Sequence, residues 1–215
     1  MDGIRPAQPG DSDFLAELAV MASGGLIPAV LGDLATGWTP AAMLALLLRM
    51  ENDTYSWRNA VVAEAGGQPV GMALAYPALN AMVRGGVTAE TSAHRELMRP
   101  FQELSDHESY YLCSLAVLPS RRGGGIGAAL LAAVAGQARE QGYPALTLHV
   151  LARNHRAVAF YRRNGFVPRG AHPMPVHSRL EFSGPVLLLS RPLSPRVRVR
   201  TEKQSCRNGG PPDEG

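Results

Sequence analysis

Several residue types that would point to particular classes of protein are scarce in this chain of 215 residues. Its two cysteines, Cys113 in a predicted core strand and Cys206 in a predicted loose tail, make a poor disulfide pair. Apolar runs stay short of the roughly 18 residues that indicate a membrane-spanning helix, and the acidic, polar N-terminus is unlike a signal peptide. From these absences we expect a cytoplasmic protein in a reducing setting, with no membrane partner.

Metal-ligand patterns and one-sided charge are also missing. Of the six histidines, His172 and His177 do not match a zinc spacing, and the others do not cluster with cysteines or carboxylates. Residues 1–194 carry 16 basic and 15 acidic side chains, and residues 195–215 carry five basic and three acidic ones. A nucleic-acid-binding domain would be distinctly basic. We therefore expect no metal and no nucleic-acid partner.

What the chain does have is apolar material, 46% of its residues, enough for one α/β domain with a substantial core. We assign that domain to residues 1–194. Residues 195–215, rich in glycine, proline and charge, are predicted to form a flexible basic tail.

The most informative stretch predicts one βαβ unit. An apolar strand at 110–118, predicted to be buried on both faces, ends at Pro119. A glycine-rich turn follows, and a helix of alanine and leucine runs to about Gln141, before Gly142. A second strand is predicted at 145–151, after which Asn154 caps a short helix that ends near Gly165. The two strands should be parallel and their connection right-handed.

The glycine turn is a candidate phosphate site. Gly123, Gly124 and Gly125 lack the Cβ atoms that keep an anion away from the free N–H groups at a helix N-terminus, and Arg121 and Arg122 add charge. The pattern is neither a P-loop, since the only lysine is Lys203, nor a GxGxxG dinucleotide fingerprint. A plain tight turn between strand and helix is the alternative.

Two motifs carry a family resemblance. Arg122-x-x-Gly125-x-Gly127 after the strand resembles the R/Q-x-x-G-x-G/A signature of the GNAT superfamily of N-acetyltransferases. The later pattern Asn154-x-x-Ala157-x-x-Phe160-Tyr161, continuing to Gly165-Phe166, resembles the segment that follows the family's next strand.

The resemblance implies an acetyl-CoA or other acyl-CoA donor and an amine acceptor. It implies that backbone N–H groups of the turn hold the pyrophosphate, that the strand backbone pairs with the pantetheine arm, and that Tyr161 protonates the departing thiolate. Asn154 would contact the pantetheine arm, act as an ordinary helix cap, or do both. The cofactor-binding residues expected on this basis are Leu115, Ala116, Val117, Arg122, Gly123, Gly124, Gly125, Ile126, Gly127, Asn154 and Phe160.

The two motifs leave the general base unassigned. Some family members have a glutamate where this chain has Tyr111, which cannot readily do the same work. We take Glu108 as the candidate base, with Asp106, His149 or a water chain as alternatives. Cys113 could carry the acyl group covalently, although a cysteine in an apolar strand is more often a core residue. We expect direct transfer in a ternary complex.

The rest of the chain completes a predicted GNAT-like fold, with a central, mostly antiparallel sheet of about seven strands that separates at the cofactor strand pair. Strands are predicted at 4–7, 59–64, 69–76, 166–171 and 185–190, and helical segments at 12–22, 29–34, 40–51 and 91–104. Asp11-Ser12-Asp13 is expected to cap the first of these helices, and Thr39-Pro40 to start the one at 40–51. The segment 77–107 is too long for a hairpin link, so we expect an insertion near the acceptor site.

The function predicted from the sequence is N-acetylation of a primary amine. Transfer of a longer acyl chain, transfer to a hydroxyl, and an inactive coenzyme A-binding module that acts as a sensor are the alternatives. If the chain self-associates, we expect a homodimer, since small oligomers favour twofold symmetry.

Overall fold

The computed structural model describes residues 2–32, 37–83 and 92–193. The predicted tail at 195–215 lies outside them, as do Leu34 and Thr91 at the ends of two predicted helical segments. In chain order the elements are β1 (Gly3–Pro6), α1 (Ser12–Ala22), α2 (Leu26–Leu31), α3 (Pro40–Arg49), β2 (Ala60–Ala65), β3 (Gln68–Pro77), α4 (Ala78–Val83), α5 (Ser92–Glu103), β4 (Tyr110–Val117), α6 (Ile126–Glu140), β5 (Ala145–Leu151), α7 (His155–Arg163), β6 (Val167–His172) and β7 (Val186–Pro192).

The strands form one seven-stranded sheet in the order β1-β2-β3-β4-β5-β7-β6. Every neighbouring pair is antiparallel except β4 and β5, which are parallel and joined through α6. The predicted fold class, a mixed and mostly antiparallel sheet with one parallel βαβ unit, is confirmed.

Strand β2 is buried on both faces along most of its length, and the alternation of its side chains shows how. Ala60 and Val62 point into a core formed with α1 and α3, while Val61 and Ala63 point into a second core formed with α6 and α7. Leu15 and Leu48 fill the first core and Leu130 the second, each with no exposed surface. The helices therefore cover the sheet as two layers.

Helix ends follow local chemistry in several places. The Thr39 hydroxyl accepts a hydrogen bond from the Ala42 N–H at 3.1 Å, with Pro40 in the first turn of α3. Gly142, just past α6, has φ +84°, the left-handed conformation that a C-terminal glycine supplies.

Two helix starts differ from the sequence prediction. The Asp11 side chain does not cap α1; it accepts hydrogen bonds from Arg5 at 2.7 and 3.0 Å and from the Gln8 N–H at 2.7 Å. The second helix begins at Leu26 rather than near Ala29, because left-handed Gly25 starts it and the Ser23 hydroxyl accepts from the Ile27 N–H. None of the helices in the described residues is long and apolar enough to cross a lipid bilayer.

Candidate active site

The site begins where β4 and β5 separate. The two strands pair only at Tyr110–Leu146 and Tyr111–Thr147. On the other side of β4, the register with β3 shifts between Leu112 and Ser114, so Cys113 is an extra, bulged residue. The C-terminal halves of the two parallel strands therefore diverge, and the edge of β4 that faces β5 is left without a strand partner.

The divergence opens a cavity of about 1660 Å³. Its walls come from β4, β5, the first turns of α6 and α7, the α1–α2 connection and α5. Cys113, Ser114 and Leu115 border it and are only half-buried, which corrects the prediction that this strand is covered on both faces. The cause is the missing neighbour along this part of β4.

One end of the cavity is formed by the glycine turn. Gly123 and Gly125 have φ of +89° and +78°, and Gly125 is the residue from which α6 starts. A Cβ placed on Gly123, Gly124 or Gly125 would meet no atom within 4 Å. Open space thus lies in front of the free N–H groups of a 15-residue helix, where the macrodipole favours an anion.

Arg122 connects this turn to β4. Its Nε–H donates to the Val117 carbonyl at 3.0 Å, and its guanidinium lies 3.8 Å from the Met21 sulfur. The side chain therefore fixes the turn against the end of the strand and against α1. The Val117 carbonyl is already engaged by this bond.

Gly127, Phe160 and Asn154 form the joint between α6 and α7. A Cβ on Gly127 would come within 3.3 Å of the Phe160 ring and 3.8 Å of Leu115, so glycine permits the helices and β4 to approach closely. Asn154 caps α7, its side-chain oxygen accepting from the Ala157 N–H at 3.1 Å. Gly127, Phe160 and Asn154 also line the cavity, apart from their packing roles.

Tyr161 is another residue that lines the cavity. Its ring packs edge-on against Phe160 and Phe166, with centroids 5.2 and 5.5 Å away. Burial raises the pKa of Tyr161 well above its ordinary range, so the phenol keeps its proton at neutral pH. A protonated phenol that borders the cavity can act as a proton donor.

The other end of the cavity holds a tyrosine cluster, which we define as Tyr55, Tyr76 and Tyr111, around the Cys113 thiol. The Tyr76 ring lies 5.9 Å from that of Tyr55 and 5.7 Å from that of Tyr111. Burial raises the pKa of Cys113, and the neighbouring Tyr76 and Tyr55 hydroxyls only partly oppose this. The thiol is therefore held neutral, which disfavours the covalent route.

A histidine joins this cluster from β5. His149 Nδ1 lies 3.1 Å from the Tyr111 hydroxyl, and His149 Nε2 lies 2.8 Å from the Leu104 carbonyl at the end of α5. Burial lowers the pKa of His149, and the Leu104 carbonyl opposes that shift. The imidazole is therefore neutral near pH 7.

Comparison with known proteins now decides the family. Residues 33–166 match the model of the acetyltransferase (GNAT) family. The chain belongs to the GNAT family. It is thus an acyl-CoA-dependent acetyltransferase by family.

Solved structures agree with the GNAT fold. An acetyltransferase crystal structure superposes with a TM-score of 0.65 at 21% identity, over 89% of this chain and 99% of that one. An N-acetyltransferase from Staphylococcus aureus Mu50 superposes with a TM-score of 0.62 at 17% identity, over 87% of this chain and 98% of that one. The ribosomal-protein-S18-alanine N-acetyltransferase from Escherichia coli superposes with a TM-score of 0.56 at 16% identity, over 90% of this chain and 95% of that one. A search of curated proteins gives no match.

Most of the residues expected from the GNAT resemblance come together around this cavity. Those that line it are Leu115, Ala116, Val117, Arg122, Gly123, Gly125, Ile126, Gly127, Asn154, Phe160 and Tyr161. Gly124 is exposed and is not among the lining residues. Glu108 is exposed in the turn before β4 and is likewise not brought to the cavity.

Sequence reasoning missed how the acceptor end of this GNAT domain is built. It treated His149 as one option among several and Tyr111 as unsuited to act as a base, whereas the structure joins them. No local signal predicts that contact, because it depends on the β4–β5 register and on α5. The inserted segment does border the cavity, through Met98 and Phe101 among others.

Within residues 2–32, 37–83 and 92–193, no three His, Cys, Asp or Glu side chains lie close enough together to hold a metal ion.

Proposed function

We propose that this GNAT protein transfers an acetyl group from acetyl-CoA to a primary amine of a small molecule or peptide, directly within a ternary complex. The observation that carries the proposal is the continuity of the cavity. A single space runs from the glycine turn, past Tyr161, to the tyrosine cluster. Donor and acceptor can therefore occupy it together, as direct transfer requires.

The donor end suits a coenzyme A thioester. N–H groups of the glycine turn would bind the pyrophosphate, with Arg121 and Arg122 nearby as cations. The β4 edge at Leu115 and Ala116 would offer backbone hydrogen bonds to the pantetheine arm, since β3 occupies only the opposite edge. The Val117 carbonyl would contribute less, because Arg122 already donates to it.

Tyr161 would complete the transfer. As the amine attacks the thioester carbonyl and the C–S bond breaks, negative charge develops on sulfur, and a phenol that has kept its proton can give it to that sulfur. A peptide N-terminus, a lysine side chain and small amines remain candidates for the acceptor. A cytoplasmic location and a homodimer stay predictions.

The test is acetyl-CoA binding by calorimetry for the wild type, Gly125→Asp and Gly142→Asp. The two glycines sit at opposite ends of α6, both with positive φ and both with no atom within 4 Å of an added Cβ. The backbone strain is therefore matched, but only Gly125→Asp puts a carboxylate where the phosphates should bind. We expect Gly125→Asp to weaken binding about tenfold or more, a change of at least ~1.4 kcal/mol, and Gly142→Asp to bind normally.

Equal binding by both variants would contradict the phosphate site, and no binding by the wild type would overturn the proposed function. The same preparations are then given an amine panel with detection of released thiol.

A second candidate is an acyl-CoA-binding module with weak activity. The observation that favours it is that Tyr111, not a carboxylate, stands at the family's base position. Glu108 is exposed and does not line the cavity, whereas Asp106, an alternative candidate base, does line it. Tight acetyl-CoA binding without thiol release on any amine would support this candidate.

A further inference from the structure

Two polar pairs cross the β4–β5 junction on the same face of the sheet. Ser109 and Thr147 place their hydroxyl oxygens 2.6 Å apart, and two residues further along each strand Tyr111 meets His149. The first pair lies where the strands are still together, and the second lies where they open. The Tyr111–His149 contact therefore stands at the inner end of the cavity, beside the tyrosine cluster.

The hydrogen bonds of His149 determine which of its nitrogens carries the proton. The Leu104 carbonyl can only accept, so the nitrogen 2.8 Å from it, Nε2, must be the one that bears hydrogen in the neutral ring. Nδ1 then has a free lone pair and accepts the hydrogen of the Tyr111 hydroxyl at 3.1 Å. Tyr111 O–H therefore donates to His149 Nδ1, and His149 Nε2–H donates to the Leu104 carbonyl.

We propose that Tyr111 takes the proton from the acceptor amine while passing its own hydroxyl proton to His149. Tyr111 would be a catalytic residue, and His149 a positioning residue that acts through it. This inference rests on the proposed function, since it supplies the base that the direct-transfer reaction needs.

Each proton that moves in this reaction has a donor and an acceptor. The acceptor enters as R–NH3+ and gives one proton to the Tyr111 oxygen, whose original proton moves to His149 Nδ1, leaving a neutral amine and an imidazolium. The amine lone pair forms the new C–N bond, the C–S bond breaks, and Tyr161 protonates the sulfur. The acceptor nitrogen then loses its surplus N–H proton to solvent, and solvent returns a proton to the Tyr161 oxygen. The imidazolium releases its proton to solvent by way of Tyr111.

The surroundings of the imidazole suit a proton acceptor. It is faced by Tyr111 from β4, by the Leu104 carbonyl and the Phe101 ring from α5, and by its pairing partner Leu188 from β7. Its pKa is lowered by burial, with the Leu104 carbonyl opposing. Once charged, the imidazolium would keep its hydrogen bond to that carbonyl, so the geometry serves both protonation states.

Tyr111 alone would be a poor base, and this explains why the pair is needed. Burial raises the pKa of Tyr111 well above its ordinary range, with Cys113, Tyr55 and Tyr161 adding to the shift. A free phenolate is therefore disfavoured. Transfer of the hydroxyl proton to His149 in the same event lets Tyr111 accept a proton without becoming an anion.

The test compares pH–rate profiles of the wild type, Tyr111→Phe, His149→Asn and the control His107→Asn, at saturating acetyl-CoA. The asparagine oxygen of His149→Asn can still accept a bond from Tyr111 but cannot hold a proton. His107 is exposed in a turn and does not border the cavity. We expect both Tyr111→Phe and His149→Asn to lower kcat about 100-fold near pH 7 with little change in acetyl-CoA affinity.

The pH dependence separates this role from a structural one. Without the pair, only amine that is already neutral in solution can react, so the defect should shrink as the pH approaches the pKa of the amine. A defect of equal size at every pH, or wild-type rates for His149→Asn, would overturn the inference and leave the acetyltransferase itself in place.

A readout independent of turnover is the 15N chemical shift of the imidazole. We expect protonated Nε2 and an unprotonated, hydrogen-bonded Nδ1 whose shift moves in Tyr111→Phe. The opposite tautomer would also overturn the inference, because Nδ1 could not then accept the proton.

Discussion

Individual side chains of the site are governed mainly by burial, which favours their neutral forms. It raises the pKa of Tyr161, Tyr111 and Cys113 and lowers that of His149. Two neutral phenols and a neutral imidazole thus border one cavity. Such a set can pass protons from one neutral group to the next at neutral pH.

Tyr161→Phe tests the acid role at the residue scale. We expect kcat to fall about 100-fold, with unchanged acetyl-CoA affinity, because the ring packing survives and only the proton donor is lost. The matched control is Tyr143→Phe. The Tyr143 ring packs on that of Tyr110, with 5.2 Å between the ring centroids, and Tyr143 does not line the cavity. Steady-state kinetics with thiol detection make the comparison, and unchanged turnover for Tyr161→Phe would rule out its role.

The raised pKa of Tyr161 also affects the alkaline side of the pH–rate profile. Because the folded protein raises the pKa of Tyr161, its proton is retained beyond pH 10, where an ordinary tyrosine ionises. Ionisation of the Tyr161 hydroxyl should therefore not limit wild-type turnover below pH 10.

At the scale of elements, two loops that border the cavity are in contact with each other. The α1–α2 connection and the β6–β7 loop are joined by a hydrogen bond from the Glu181 N–H to the Gly24 carbonyl at 2.9 Å. Gly25 lies so close to the second loop that an added Cβ would be 1.7 Å from the Arg179 carbonyl oxygen. Phe182 and Glu181, from this loop, line the cavity.

Gly25→Ala should force these loops apart. Its methyl group would clash with backbone that no rotamer change can move, in addition to the roughly 1–2 kcal/mol expected for a non-glycine residue at positive φ. The control Gly67→Ala has φ +69° in the β2–β3 turn, where an added Cβ meets nothing. Urea unfolding should show a larger loss of stability for Gly25→Ala, by at least about 1 kcal/mol.

Equal losses for the two variants would mean that the loop contact adds nothing to stability. A larger KM for the amine in Gly25→Ala would connect the contact to acceptor binding.

For the molecule as a whole, the same pKa shifts determine stability in acid. His149 has a lower pKa folded than unfolded, so below about pH 6.5 the unfolded chain binds a proton that the folded protein does not. Stability is therefore complete above that pH and falls as pH drops, until the folded pKa is passed. Asp11, whose pKa is lowered chiefly by its hydrogen bond to Arg5, loses its contribution only at more acidic pH.

Unfolding midpoints between pH 7 and 5 check this expectation. The free energy of unfolding of the wild type should fall by up to about 1.4 kcal/mol per pH unit because of His149. Stability should depend less on pH in His149→Asn than in His107→Asn. Parallel profiles for the two variants would show that burial of His149 does not control acid stability.

Many elements of this protein follow from its sequence, because the interactions that define them are local. The predicted strand at 145–151 is β5 to the residue, and Thr39, Asn154 and Gly142 mark helix ends where the sequence places them. Each feature needs only a side chain and a backbone a few residues away. The order of the two motifs was sufficient to predict the GNAT fold and its acyl-CoA chemistry.

What only the tertiary structure decided is how distant segments meet. The bulge at Cys113 and the separation of β4 from β5 depend on strand register, and the loop contact at Gly25 joins residues more than 150 positions apart. The Tyr111–His149 and His149–Leu104 contacts span 38 and 45 residues. Glu108 is near β4 in sequence yet outside the cavity in space. Local propensity carries no information on such pairings, since they arise when the sheet forms and two core layers pack against it.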